Sequence, residues 1–143
     1  MANNSPDLFL QTQVDRLIRE RSAEAVREYG LTLSQWGLLG LLAEARDGRR
    51  HTDIAEVLCV KPPLVTAMSK QLLKRGLIQS VTNQFDARAK LLALTSDGRK
   101  FIIQVETTLG RHLNELFNGL TKQELADYQK VLRTIIANGR TGG

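Results

Sequence analysis

Five cations fall close enough together to act on one partner: Lys61, Lys70, Lys74, Arg88 and Lys90. Side chains of this kind neutralise phosphate oxygens, and their placement is more telling than their number. Between residues 45 and 100 stand eleven of the twenty basic residues and five of the fifteen acidic ones, a net of +6; the rest of the chain sums to −1. The formal charge of +5 therefore resides entirely in one segment. A polyanionic backbone suits such a segment best, because each neutralised phosphate releases condensed counterions. The plainer reading of the same charges is an unbalanced solvated face. No nucleophile motif, no glycine-rich loop after a strand and no paired His–acid spacing accompanies them, so neither an enzyme nor a cofactor is expected.

A length of 143 residues with 42% apolar and 24% charged side chains describes one ordinary globular domain with a real core. No apolar run approaches the roughly 20 residues that span a bilayer. The first fifteen residues carry Asp7 and Asp15 and no base, unlike a secretory leader, so a cytoplasmic protein with no membrane partner is expected. The single cysteine, Cys59, excludes an internal disulfide. Flanked by Leu58 and Val60, it reads as a packed or turn residue rather than a redox sensor. His51 and His112 lack metal-ligand spacing, and no metal is expected.

The elements that must position the cations follow from caps and periodicity. Residues 7–29 keep one apolar stripe at helical spacing (Leu10, Val14, Leu17, Ile18, Arg21, Ala25) and meet Gly30, a C-terminal cap. Thr32 to Gln35 form a capping box opening a second helix to about residue 45; with Trp36, Leu38, Leu39, Leu41 and Leu42 it is apolar almost all round and should be buried. A short third helix covers about 50–58, with Ile54, Ala55 and Leu58 inward. Pro62 or Pro63 opens a fourth, with Val65, Met68 and Leu72 inward, Gly76 at its end and Arg75 suited to the negative end of its dipole. Residues 77–82 and 90–94 are strand candidates around a polar loop. Thr95 caps a fifth helix to about 118, and Thr121 with Glu124 box a sixth to 138–139. Two short helices joined by a tight turn, then a hairpin, make a winged helix-turn-helix in a mainly α (α+β) fold.

Residues 31–100 resemble the MarR (multiple-antibiotic-resistance regulator) family of winged-helix transcription regulators. The likeness lies in Leu31-Thr32-Leu33-Ser34-Gln35, Ile54-Ala55, Leu58-Cys59-Val60, Val65-Thr66, Leu72, Gly76-Leu77-Ile78, Asp86-Ala87-Arg88 and Leu94-Thr95 with Gly98. The flanking helices and length fit as well. The resemblance implies a homodimer on a pseudo-palindromic operator of double-stranded DNA, more commonly as a repressor. In it, residues 1–30 and 96–139 supply dimerisation helices, 31–95 form the DNA-binding head, and 140–143 are a disordered tail.

It also implies roles. With Val65, Met68 and Leu72 inward, Thr66 faces out and can donate to a phosphate or base edge, and Lys61 and Lys70 near the same face can meet phosphates or guanine acceptors. Lys74, farther along, meets a phosphate. Arg88 reaches into the minor groove, Lys90 takes a backbone phosphate, and Asp86 shapes the wing by pairing a neighbouring base. A small aromatic or phenolic effector would lie between the dimer helices and the head, near Trp36, although a tryptophan there is more often core. Three positions depart from the family: Ala67, Ser80 and Ala87 stand where relatives often carry arginine. Fewer cations mean a shallower salt dependence, unless Lys61, Lys70, Arg49 and Arg50 compensate. They also keep open a second reading, a winged-helix protein–protein adaptor with weak or no DNA binding.

Overall fold

A computed structural model describes residues 7–86 and 88–141; Ala87, one of the three departures, lies outside the described residues, as do Gly142 and Gly143 of the expected tail. The element order is α1 (Leu8–Arg27), α2 (Leu33–Glu44), α3 (His51–Leu58), α4 (Pro62–Lys74), β1 (Ile78–Thr82), β2 (Lys90–Leu94), α5 (Ser96–Asn114), a 3₁₀ turn (Glu115–Phe117) and α6 (Lys122–Thr141). Two compact units emerge, one running to Leu113 and one from Asn114 onward. Among the described residues no helix is long and apolar enough to cross a membrane.

The first unit is organised around α2. Leu38, Leu39 and Leu42 are fully buried, and they join Val26 of α1, Ile54 of α3, Val65 and Leu72 of α4, and Leu92 of β2 in one cluster. Its ends are capped as the sequence predicts. The Thr32 hydroxyl accepts the Gln35 N–H (3.1 Å), and Gln35 Oε1 accepts the Thr32 N–H (3.0 Å). The same Gln35 side chain is buried and donates through Nε2 to Gln71 Oε1 (2.6 Å), so one residue both caps α2 and ties it to α4. At the end of α1, Gly30 adopts φ +70 while the Leu31 N–H donates to Val26 O (3.2 Å) and the Gly30 N–H to Arg27 O (2.9 Å). That double bond is a Schellman motif, which needs a left-handed residue.

β1 and β2 pair antiparallel, Ile78 opposite Leu94 through Thr82 opposite Lys90. A third chain joins them at one bridge: the Arg49 N–H donates to Leu92 O (2.8 Å) and the Leu92 N–H to Arg49 O (2.9 Å). Thr95 closes the hairpin, donating its hydroxyl to Gly76 O (2.7 Å) while accepting the Gly98 N–H (2.9 Å) at the start of α5. Gly98 itself is buried, and any Cβ there would collide with the Leu77 carbonyl oxygen.

Two boundaries and one helix face differ from expectation. α5 stops at Asn114 instead of about 118, because its last residues tighten into the 3₁₀ turn before Gly119 reverses the chain at φ +87. α6 passes through Asn138-Gly139 and ends at Thr141, so Arg140 and Thr141 are helical rather than disordered. A glycine inside a helix costs about 1 kcal/mol, less than a full stop requires. The predicted stripe of α1 is buried only at its C-terminal end: Ala25 is buried with Ser22 and Val26, whereas Leu10, Val14 and Leu17 are 58%, 42% and 45% exposed.

Candidate nucleic-acid interface

α3, the turn after it and α4 form the helix-turn-helix. The turn is closed by Cys59, whose φ of 55 and ψ of 44 are left-handed; among the described residues no other non-glycine has positive φ. The Val60 N–H donates to Ala55 O (3.0 Å) and the Cys59 N–H to Glu56 O (3.2 Å), the same motif that ends α1. Cys59 is exposed and serves as a turn residue rather than a packed one. No group of three or more metal-ligating residues occurs among the described residues.

α4 begins with Pro62 and Pro63 at its first two positions and Lys61 at its N-cap. Prolines are tolerated there because the first turn has no intrahelical acceptors for its N–H groups. Val65, Met68, Ser69 and Leu72 are buried, and the Ser69 hydroxyl is satisfied by Val65 O (2.6 Å). At about 100° per residue the opposite face is then Pro63, Ala67, Lys70 and Lys74, with Thr66 and Leu64 at its two margins. All of these are exposed. The Thr66 hydroxyl donates to Pro62 O (3.3 Å), which leaves its lone pairs facing solvent.

The far end of α4 is anchored by a residue that sequence reading treats only as a dipole complement. Arg75 donates to Tyr29 O (2.9 Å) and Gly30 O (3.3 Å), and its guanidinium lies 5.0 Å from the centroid of the Phe101 ring. Tyr29 packs edge-on against Phe101 (5.7 Å) and donates its hydroxyl to Gln104 O (3.2 Å). One guanidinium thus joins α1, α4 and α5. Its partners lie 45 and 46 residues away in sequence, so no local pattern could have revealed it.

In the wing, the Asp86 carboxylate accepts the Arg88 backbone N–H (3.0 Å), and Asp86 O accepts the Ala89 N–H (3.1 Å). The turn is held through backbone amides, and Asp86 makes no ion pair with a described residue; a short acidic side chain is well placed for such amide bonds. Asn83 does the same for the Phe85 N–H (2.9 Å). Arg88 and Lys90 are exposed, and Phe85 at the tip is 96% exposed. The residues proposed from sequence thus fall in two groups of the same unit: Lys61, Thr66, Lys70 and Lys74 on α4, and Asp86, Arg88 and Lys90 on the hairpin that α4 runs into. None of the five cations among them makes an ion pair with a described residue, whereas Arg16 and Arg19 of α1 pair with Glu20 and Asp15 at 3.0 Å.

Trp36 lies apart from this surface. It is half-buried, packs on the core, and lines a cavity of about 350 Å³ with Ile18, Arg19, Ser22, Leu58 and Leu109. Its indole N–H is buried and has no acceptor among the described residues.

The MarR family model matches residues 31–90, the span from the capping box to the second wing strand. Over 127 residues, 88% of this chain and 77% of the relative, the sequence is 25% identical to the HTH-type transcriptional regulator PapX of Escherichia coli. The solved transcriptional regulator PA3341 superposes with a TM-score of 0.78 at 27% identity, covering 93% of this chain and 97% of that one. The MepR–DNA complex of S. aureus shares the fold, with a TM-score of 0.70 at 20% identity over 94% of this chain and 99% of that one. With the helix-turn-helix, the wing and both flanking helical segments in place, residues 31–90 form a MarR-family segment within a chain that shares the fold of solved transcription regulators.

Proposed function

We propose that the protein represses transcription as a homodimer whose two heads bind a pseudo-palindromic operator, α4 in the major groove and the wing in the adjacent minor groove. The observation that carries this reading is the set of five exposed cations on α4 and the hairpin that pair with no described residue. Exposed cations without acidic partners are electrostatically costly to cluster, and phosphates relieve that cost. Lys61, Lys70, Lys74 and Lys90 serve the backbone, Thr66 a phosphate or base edge, and Arg88 the minor groove, where negative potential is concentrated.

Dimerisation is supported by apolar faces left open at both ends of the chain. Leu8, Phe9 and Leu10 of α1 are 70%, 74% and 58% exposed, and Val131, Ile135 and Ile136 of α6 are each 53% exposed. An amphipathic helix of this kind gains its stability by burying its apolar stripe, and a second copy offers a matching one. In this reading residues 1–30 and 96–139 make the dimer and 31–95 the head. The Trp36 cavity supports a further element, release by a small aromatic or phenolic ligand, since an indole N–H without an acceptor is a place for a ligand oxygen. A cytoplasmic location accompanies this reading.

In vitro selection from a random DNA pool, followed by mobility shifts at fixed salt, tests the proposal. The expected product is a two-fold symmetric site bound with a steep salt dependence. Arg88→Ala should weaken binding at least tenfold and reduce the log–log salt slope by about 1. Unaltered affinity of that variant would remove the wing from the interface. Failure to recover any site, with no salt-dependent binding, would favour the protein–protein adaptor.

A further inference from the structure

The half of α4 that leads into a groove carries almost nothing with which to form a hydrogen bond. Helix-turn-helix proteins present the N-terminal residues of the recognition helix to base edges. Here those residues are Pro62, Pro63, Leu64, Thr66 and Ala67, all exposed, Leu64 at 44%. Two prolines remove two amides, and the third, of Leu64, already donates to Lys61 O (2.9 Å). The Thr66 hydroxyl turns back to Pro62 O. Charged side chains begin only at Lys70, at the far edge of this surface. The single arginine near the helix, Arg75, is held by Tyr29 O, Gly30 O and the Phe101 ring.

B-DNA offers one apolar group in its major groove, the thymine C5-methyl; guanine is usually read by a bidentate Arg or a Lys, and adenine by Asn or Gln. α4 has none of these in its first two turns. We infer that its N-terminal half reads thymine methyls, with Ala67 and Pro63 at the centre of the contact and Leu64 at its margin. Lys61 and Lys70 flank this apolar surface and hold it against the phosphates. This rests on the proposed DNA-binding function and names what that site selects: a half-site whose centre is A·T-rich, recognised by shape and methyl contact rather than by guanine acceptors.

The test uses the full-length protein and the duplex recovered by selection. Each thymine of one half-site is replaced in turn by deoxyuridine, which lacks only the methyl. Loss of each contacted methyl should lower affinity about fourfold, the effect of withholding one methyl-sized group from burial. Thymines beneath the wing serve as controls and should change less. Ala67→Arg, a substitution on an exposed position, should shift the selected base at its own contact from thymine to guanine and abolish the deoxyuridine effect there. A recovered site indifferent to every deoxyuridine would overturn the inference while leaving DNA binding intact. So would one whose centre is G·C and weakens with 7-deazaguanine. No recovered site at all would overturn both.

Discussion

The helices around the helix-turn-helix and the two inside it begin in opposite ways. α1, α2, α5 and α6 open on Asp7, Thr32, Thr95 and Thr121, and in each case a side-chain oxygen accepts a backbone N–H of the first turn. α3 and α4 open on Arg50 and Lys61, and neither side chain caps its helix. A cation at the positive end of a helix dipole also works against it. The turn joining α3 to α4 adds a non-glycine left-handed residue, where α1 and α4 end on Gly30 and Gly76. Local stability rules are thus obeyed in the scaffold and broken repeatedly in the helix-turn-helix. Departures of this kind concentrate where residues answer to a partner.

The contrast can be broken most forcefully from the scaffold side. Gly98→Ala drives a methyl into the Leu77 carbonyl where the first turn of α5 packs against the start of the hairpin. A loss of about 3 kcal/mol is expected, the upper range for overpacking a core site, read as a lowered denaturant midpoint. A variant as stable as the parent would mean that the α5–wing junction yields easily and that the scaffold is not the rigid partner in the comparison.

The head responds in the other direction. Arg50→Ser and Lys61→Ser should each stabilise the fold by about 1 kcal/mol, the usual worth of an N-cap hydroxyl, while weakening DNA binding. Stability and affinity moving together, in either variant, would end the argument that these caps were given up for the partner.

The smallest effect lies at α6. The Thr121 backbone N–H first, and its side chain second, hold the exposed Glu124 carboxyl below the ordinary value of 4.5. A lowered acid favours the folded state above its unfolded value, and the preference disappears as pH falls through the lowered one. The stabilisation of this cap is therefore full near neutrality and fades only below about pH 4.5. In an NMR titration of Thr121→Ala, which removes the hydroxyl and keeps the backbone N–H, Glu124 should move upward only part of the way to the ordinary range. An unchanged midpoint would show that the Thr121 hydroxyl takes no part in holding this carboxyl.

What the sequence made legible was local. Both capping boxes, the prolines opening α4, the glycines ending α1 and α4, and the second wing strand rest on interactions spanning a few residues. Less legible was anything that depends on residues far apart. Gly98 reads as one helix glycine among several until Leu77 O is set against it. Gln35 reads as a cap until Gln71 is set beside it, and Arg75 as a dipole complement until Tyr29 and Phe101 appear. The α1 stripe shows a subtler gap: periodicity identifies an apolar face without saying which partner buries it, and Leu10, Val14 and Leu17 remain exposed in the single chain. At the candidate interface, exposure of the cations on α4 followed from the inward stripe, whereas the Asp86 turn through the Arg88 amide did not.

The Arg75 junction has a consequence for how the molecule opens. Amides at the ends of helices ordinarily fray independently, each at its own small free energy. Here the last carbonyls of α1, the end of α4 and a ring of α5 share one guanidinium. Fraying at the end of α1 or of α4 breaks the same guanidinium contacts, so the two termini are coupled and open together. The last turn of α4 is therefore tied to α1 and α5 by one exposed side chain.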